Sequence, residues 1–323
     1  MLDIYSLRVL PNPENHNMKI YDCFTFFNEL DVLEMRLNIL SKDVDYFVLV
    51  ESNRTHSGKD KELVFQKNKT RFTDFSDKII HIVVDDMPQS NDGNRWKLEN
   101  FQREAIMRGL LKCSKDDIIL ISDLDEIPDP KALENIKLLL PKTSNCTDFL
   151  YKKYIIIKKI TTLLHINKIT DRVFYHLSVP SKKLICFKQK VYYYYLNGFI
   201  NADWIGTKAV LYGDLVRNFN SSPQQVRESS AKGIITNGGW HFSYLLSPEE
   251  IAKKIQAFAH SEFDKKEFTD TESIKKRIAN GEDLFGRKEK ITYKPIDESY
   301  PEYIRNNLQK YDRYINHSYT KEK

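Results

Sequence analysis

The amino-acid sequence predicts a single α/β domain in which a mixed sheet is flanked by helices. Short apolar strands and amphipathic helical segments alternate through the first part of the chain, an order that implies parallel strands covered by helices on both sides. One strand, Asp117–Ser122, is almost entirely Ile and Leu at its centre, as expected for a strand buried on both faces. Polar residues follow several of these strands directly, where open α/β sheets bind their ligands.

The first half of the chain contains four predicted strands and two predicted helices. Lys19–Phe26 has the pattern of a strand, and Glu29–Leu40 that of a helix because leucines recur at helical spacing. We expect Asn28 to be the N-cap of this helix. The other predicted elements are, in chain order, strands at Val44–Val50 and Lys78–Val84, a helix at Arg95–Leu111 and the strand at Asp117–Ser122.

The pattern changes after Pro141. Segments rich in β-branched and aromatic residues predict mixed or antiparallel strands, and Ser247-Pro248-Glu249-Glu250 is a helix start that predicts a helix to about His260. The tail from Tyr300 is predicted to be helical and to pack outside the core. We expect residues 1–18 to be an irregular lead-in, residues 19–315 one domain and residues 316–323 a tail. The strands predicted here are Asp148–Ile157, Leu184–Tyr195 and Gly233–Tyr244.

Composition and charge exclude several classes of protein. The formal net charge of +5 is spread along the chain, whereas nucleic-acid-binding proteins concentrate positive charge on one face, so no nucleic-acid partner is expected. The four cysteines have neither metal-ligand nor disulfide-framework spacing. No signal peptide and no apolar segment long enough to span a bilayer is visible, which predicts a cytoplasmic chain without a membrane anchor.

Three acids, Asp123, Asp125 and Glu126, follow the most apolar strand within four residues. Clustered carboxylates repel one another, and burying them is costly unless a cation compensates. Mg²⁺ and Mn²⁺ prefer such oxygen ligands and often bridge them to substrate phosphates. The Asp-x-Asp pair therefore predicts a divalent-cation site that stabilises a departing diphosphate. The alternative is a helix-capping turn before Pro130.

Two further stretches carry side chains suited to such a site. In Asn237–Phe242, adjacent glycines allow close backbone approach, and His241 can supply a nitrogen ligand to the same ion or serve a purely structural role. In the helix before the acidic strand, Glu99 and Arg103 are four residues apart. They form either a surface ion pair or a site in which Arg103 contacts the donor, meaning the substrate that carries the diphosphate, or orients an aspartate.

Other reaction classes lack their motifs. The chain has no phosphate-binding P-loop, no Gly-x-Gly-x-x-Gly after the first strand and no Gly-x-Ser-x-Gly elbow. Six segments together resemble glycosyltransferase family 17, in one order from about residue 19 to residue 315. These segments are Tyr21–Asp31, Glu34–Leu37, Val44–Ser52, Glu99–Arg103, Ile121–Pro128 and Gly238–Tyr244.

The resemblance implies a Rossmann-like A-type glycosyltransferase fold, with a nucleotide-sugar-binding half at about 19–140 and an acceptor half at about 141–315. It implies inversion at the anomeric carbon, Mn²⁺ or Mg²⁺ as cofactor, a UDP-sugar donor such as UDP-GlcNAc and a glycan or other carbohydrate acceptor. By this resemblance Asp125 binds the metal directly, Asp123 contacts the ribose or the metal through water, and His241 is a third metal or diphosphate contact. The residues Asn28, Glu29 and Glu51 would hold the nucleoside.

The catalytic base is open at this point. Asp203, beside Trp204, and Glu262, beyond His260, are both candidates for removing the proton from the acceptor hydroxyl, and each also suits a structural role. Tyr192–Tyr195 and Trp204 can stack on sugar rings or pack in the core. Two other functions remain compatible with the same residues: a nucleotide-sugar hydrolase or pyrophosphatase, and a non-catalytic carbohydrate- or nucleotide-binding protein.

Overall fold

A mixed ten-stranded sheet lies at the centre of the described part of the protein, which in this computed structural model comprises residues 18–90, 93–140, 184–230 and 233–318. The order of the main path is β3-β2-β1-β4-β7-β6-β9-β5, with β10 paired to β7 and β8 paired to β6. The strands are β1 Ile20–Phe26, β2 Tyr46–Ser52, β3 Ile79–Val84, β4 Ile118–Asp123, β5 Glu126–Pro128, β6 Ile185–Tyr193, β7 Gly198–Leu211, β8 Gly233–Ile235, β9 Gly239–Ser243 and β10 Thr292–Tyr293.

The first four strands form the parallel part of the sheet, as predicted. β1 pairs in parallel with β2 and β4, and β2 pairs in parallel with β3. The centre of β4 is buried on both faces, which explains its continuous run of Ile and Leu. The register sets Phe26 opposite Glu51 and Thr25 opposite Asp123, so the carboxyl ends of these strands share one edge.

The remaining strands are mixed in direction. The long strand β7 is antiparallel to both β4 and β6, whereas β9 is parallel to β6 and antiparallel to β5. The single strand predicted at Gly233–Tyr244 is two strands, β8 and β9, because a turn with Asn237 at φ 51° separates them. The strand predicted at Asp148–Ile157 lies outside the described residues.

Helices cover the sheet, and several begin or end differently from the prediction. The helix predicted from Arg95 ends at Glu104 and continues as a 3₁₀ helix, Ala105–Gly109. The first helix begins at Leu30 with Glu29 at its N-cap position, so Asn28 is not its cap. The helices are α1 Leu30–Leu40, α2 Val64–Lys67, α3 Arg95–Glu104, α4 Pro130–Leu139, α5 Tyr212–Asn218, α6 Pro223–Glu228, α7 Pro248–Ala257, α8 Lys266–Thr269, α9 Thr271–Asn280 and α10 Glu302–Asn306.

The segment after Tyr300 packs into the core, and the prediction that it lies outside was wrong. Tyr300, Ile304, Tyr311 and Tyr314 are all buried in the main hydrophobic cluster. Large aromatic side chains contribute much apolar area on burial, which outweighs the polar residues between them. The short helix α10 therefore belongs to the domain that begins at β1.

Candidate active site

The turn between β4 and β5 carries the predicted acids into a cleft with a volume of about 370 Å³. Both Asp123 and Asp125 line this cleft. The helix-capping alternative does not hold, because the side chain of Asp129 caps α4 by accepting a hydrogen bond from the backbone N–H of Lys131. The two acids thus have no role in starting the helix that follows them.

A fully buried arginine, Arg36 on α1, stabilises this turn through hydrogen bonds to its backbone. Its Nη1 donates to the backbone carbonyls of Asp123 (2.9 Å), Leu124 (2.9 Å) and Glu126 (3.1 Å). Its Nε and Nη2 donate to the carboxylate of Asp22 on β1 at 2.7 and 2.6 Å. Because Asp22 neutralises the charge, and the three carbonyls and the Ser122 hydroxyl accept the remaining hydrogen bonds, the guanidinium can be buried and the turn is fixed.

Asp123 is held between two arginines. Arg103 Nη2 on α3 lies 2.9 Å from Asp123 Oδ1, and Arg227 Nη2 on α6 lies 3.1 Å from Oδ2. Burial alone would raise the pKa of Asp123, but Arg227 and Arg103 outweigh burial and lower it to about 2. Asp123 is therefore ionised and oriented. Arg103 contacts this aspartate, as expected if its role is to orient an aspartate of the acidic turn.

Asp125 faces a histidine and a lysine. His241 Nε2 lies 3.6 Å from Asp125 Oδ1, and Lys254 Nζ on α7 lies 3.5 Å from Oδ2. Lys254 also pairs with Glu29 at 2.6 Å. Burial raises the pKa of the Asp125 carboxyl, but Lys254 and His241 together bring it well below its usual range. Asp125 is thus an ionised carboxylate whose ion-pair partner, among the described lysines and arginines, is Lys254.

The backbone places His241 beside Asp125. β9 pairs with β5 so that His241 lies opposite Glu126, and the N–H of Phe242 donates to the carbonyl of Asp125 at 2.9 Å. Gly239 has φ +143°, and a Cβ there would lie 2.1 Å from the carbonyl oxygen of Ile127. Only glycine fits this close approach. The imidazole also stacks on Trp204, with ring centroids 4.5 Å apart.

Three side chains that line the cleft have buried polar atoms without a hydrogen-bond partner among the described residues. These atoms are Arg103 Nε, His241 Nδ1 and the hydroxyl of Tyr193. Buried polar groups are nearly always paired, so unpaired groups concentrated in one cleft indicate a place where a ligand or water completes the bonding.

Some predicted site residues lie elsewhere. Glu51 is fully buried below the cleft, where it accepts the backbone N–H groups of Phe65 and Gln66, so the prediction that it contacts the nucleoside was wrong. Glu29 does line the cleft. Asn28 does not, although its Oδ1 is buried without a partner among the described residues.

Neither predicted base lines the cleft. The side chain of Asp203 is 78% exposed and pairs with Lys188, whereas its neighbours Ala202 and Trp204 face the cleft from the other side of β7. Glu262 is 55% exposed and pairs with His260 outside the lining. The structure therefore argues against both residues as the base.

The sequence did not predict a role in the site for Arg36, Arg227 or Lys254, nor the structural role of Glu126. Glu126 is fully buried and accepts hydrogen bonds from Arg227 and from Trp204 Nε1. Arg36 carried a signal, since it lies in a segment used for the family resemblance. Arg227 and Lys254 carried none, because nothing local distinguishes them from surface cations.

None of the helices in the described ranges is long and apolar enough to cross a membrane. A family model described as "Glycosyltransferase family 17" matches residues 7–156 and 188–308. Curated relatives are the beta-1,4-mannosyl-glycoprotein 4-beta-N-acetylglucosaminyltransferases of Rattus norvegicus, Homo sapiens and Mus musculus. Each is 26% identical over 132 residues, which make up 39% of this chain and 24%, 25% and 24% of the respective relative.

The match thus spans about a quarter of the length of these relatives. The family model, in contrast, covers most of this chain and includes β4, the acidic turn and the strand of His241. The chain belongs to glycosyltransferase family 17 and is a glycosyltransferase.

Proposed function

We propose that this glycosyltransferase transfers a sugar, GlcNAc from UDP-GlcNAc, to a carbohydrate hydroxyl with inversion, and that it uses Mn²⁺ or Mg²⁺ bound at Asp125. The observation that carries the proposal is the Asp125 carboxylate, which faces His241 Nε2 at 3.6 Å at the carboxyl end of the parallel strands. The donor is suggested by the acetylglucosaminyltransferase relatives. An A-type fold is part of the same proposal.

The residues present fit a divalent ion that the donor helps to bind. Within the described ranges, no three His, Cys, Asp or Glu side chains converge in a way that could hold a metal alone. Mg²⁺ and Mn²⁺ in nucleotide enzymes commonly take one or two protein carboxylates and complete their shell with substrate phosphates and water. Asp125 and His241 supply such a partial set.

The charges around the acidic turn also favour a divalent ion. Five carboxylates contact three cations there, which leaves two negative charges in excess among these eight side chains. A bound Mn²⁺ or Mg²⁺ would neutralise that excess and stabilise the charge on the leaving diphosphate. The eight side chains are those of Glu29, Glu99, Asp123, Asp125, Glu126, Arg103, Arg227 and Lys254.

The residues of the site then have distinct roles in binding the donor. Lys254 lies between Glu29 and Asp125 and can move its charge toward a phosphate oxygen. Arg103 and Arg227 keep Asp123 ionised and oriented toward the ribose. His56, which hydrogen-bonds Gln102 in the cleft, has its pKa lowered by burial, so it can meet the nucleoside as a neutral imidazole.

A calorimetric screen tests the proposal. UDP, UDP-GlcNAc, UDP-glucose and GDP-mannose are titrated into the protein with Mn²⁺ and then with EDTA. We expect UDP-GlcNAc to bind at least tenfold more tightly with the metal. If no UDP-sugar gains affinity from Mn²⁺, the metal-dependent mechanism is wrong.

A second measurement separates a transferase from a nucleotide-sugar hydrolase. UDP release from UDP-GlcNAc is followed with and without a set of p-nitrophenyl glycosides as acceptors. We expect an acceptor to increase the rate and to appear as a glycosylated product. UDP release that no acceptor changes would favour the hydrolase.

A further inference from the structure

The cleft extends from the acidic turn to a second region around Asp283. Asp283 lines the cleft, is only 3% exposed, and follows α9 in the loop that leads to β10. Its Oδ1 accepts the backbone N–H groups of Phe285 at 2.9 Å and Arg287 at 3.0 Å. No hydrogen bond from the described residues reaches Oδ2. One oxygen of this carboxylate is therefore anchored, and the other is available to a ligand in the cleft.

The other carboxylates of the cleft, apart from Glu289, are engaged with cations. Lys254 pairs with Glu29 and Asp125, and Arg103 pairs with Glu99 and Asp123. A carboxylate beside a fixed positive charge is a weak proton acceptor, because the cation favours its ionised form. Asp283 makes no ion pair within the described residues, and its Oδ2 has no hydrogen bond there that an acceptor hydroxyl would have to displace.

Glu289 is the remaining carboxylate in the lining of the described cleft, and it differs from Asp283 in its contacts. It is exposed and has no hydrogen bond or ion pair within the described residues, so nothing fixes its rotamer. A general base has to lie within hydrogen-bond reach of one particular hydroxyl, which favours a carboxylate with a fixed orientation. Of the two, Asp283 has that orientation.

The surroundings of Asp283 suit a sugar ring. Phe285 and Phe263 pack together with ring centroids 4.0 Å apart, and both line the cleft. The hydroxyl of Tyr193 is buried in the same region without a partner among the described residues. Burial raises the pKa of Tyr193 well above its usual value, and Tyr244 and Asp283 raise it further, so the phenol remains a hydrogen-bond donor. Apolar ring faces with a few oriented polar groups are typical of carbohydrate-sized pockets.

We propose that Asp283 is the catalytic base and that the acceptor sugar binds between it and the acidic turn, an inference that rests on the proposed function. As the acceptor oxygen forms its bond to the anomeric carbon, its proton passes to Asp283 Oδ2. The bond from the anomeric carbon to the phosphate oxygen breaks, and its electron pair leaves with UDP. Tyr193 donates a hydrogen bond to the acceptor sugar.

The variant Asp283→Asn tests this role with little disturbance, because an Asn carbonyl oxygen can still accept both backbone N–H groups. UDP release from UDP-GlcNAc with Mn²⁺ is measured in water and with p-nitrophenyl glycosides, since either acceptor has to lose a proton. Removal of a general base costs about 100-fold to 10,000-fold in rate, so we expect at least a 100-fold loss of kcat. The Kd for UDP with Mn²⁺, measured by calorimetry, should change less than about threefold. We expect this because Asp283 is not among the groups that contact Asp123 or Asp125.

Glu289→Gln is the matched variant, because it removes the other weakly held carboxylate of the cleft. We expect it to retain at least a third of the wild-type kcat. The inference is overturned if Asp283→Asn keeps more than a tenth of the wild-type kcat, if Glu289→Gln loses the larger share, or if Asp283→Asn loses UDP binding together with turnover. Wild-type protein that neither binds nor releases UDP would contradict the proposed function itself, and the base assignment would fall with it.

Discussion

The two ends of the cleft, at the acidic turn and around Asp283, differ in the partners of their polar groups. At the acidic turn, each carboxylate contacts a cation, and Arg36 fixes three backbone carbonyls from below. Around Asp283, one carboxylate oxygen accepts no hydrogen bond from the described residues, the buried Tyr193 hydroxyl has no partner among them, and aromatic rings form the walls. The first arrangement orients charge before a ligand arrives, and the second leaves groups ready to react with one. Two predictions test the compensated charges of the acidic turn, and a third tests charge pairs outside the cleft for comparison.

The largest effect is expected from the buried arginine beneath the acidic turn. Arg36→Met leaves Asp22 buried without its partner, which costs about 3–5 kcal/mol of unfolding free energy. Arg71→Met is the matched control, because Arg71 also pairs with carboxylates, those of Asp31 and Glu34 on α1, but is half-exposed. It should cost about 0–1 kcal/mol. Urea unfolding followed by circular dichroism measures both, and equal losses would show that the turn does not depend on Arg36.

A smaller effect is expected at the acid that faces the histidine. Asp125→Asn removes the carboxylate proposed to bind the ion, and the loss of metal stabilisation, worth several kcal/mol, should lower kcat by about 100-fold to 1,000-fold. The gain in UDP affinity from Mn²⁺ should disappear. Glu262→Gln, at the exposed pair with His260, should leave both quantities within about twofold of wild type. If Mn²⁺ still increases the affinity of Asp125→Asn for UDP, the ion does not bind at Asp125.

The smallest effect concerns charges paired far from the cleft, where the C-terminal segment contacts α1. Burial raises the pKa values of Asp31 and Glu34, but Arg71, Lys310 and Arg313 outweigh burial and lower them. Because the folded-state pKa values are lowered, these pairs stabilise the protein above the unfolded pKa values of about 4. That contribution is lost as pH falls further and the carboxyls become protonated.

The measurement compares wild type with Lys310→Met in urea at pH 6 and pH 3. The variant should be less stable by at most about 1 kcal/mol at pH 6, and the difference between the two proteins should be smaller at pH 3. A difference that is the same at both pH values would mean that Lys310 acts through packing and not through charge.

The parallel half of the fold could be predicted from the sequence because each of its elements has a local signature. Continuous apolar runs located β1 to β4, and the acids after β4 located the turn at the sheet edge. The helix at Pro248 also followed from its start signal, which the structure shows as a capping box between Ser247 and Glu250.

The rest depends on contacts between segments far apart in the chain. Glu51 follows a strand as a ligand-binding acid would, but α2 begins directly above it and its backbone N–H groups occupy the carboxylate. Asp203 stands beside Trp204, yet alternation along β7 directs the two side chains to opposite faces. Asp283 has no motif at all, and its role is visible only after folding brings its loop to the cleft. The sequence of the aromatic segment after Tyr300 likewise does not indicate that it packs into the core.

The close contact at Gly239 has a consequence for the order of assembly. Backbone pairing between β5 and β9 holds the histidine strand against the acidic turn, so under the proposed function we expect the chain to fold before a metal or nucleotide binds. On the proposed function, protein without manganese would be inactive but still folded, and it would regain activity when the ion returned.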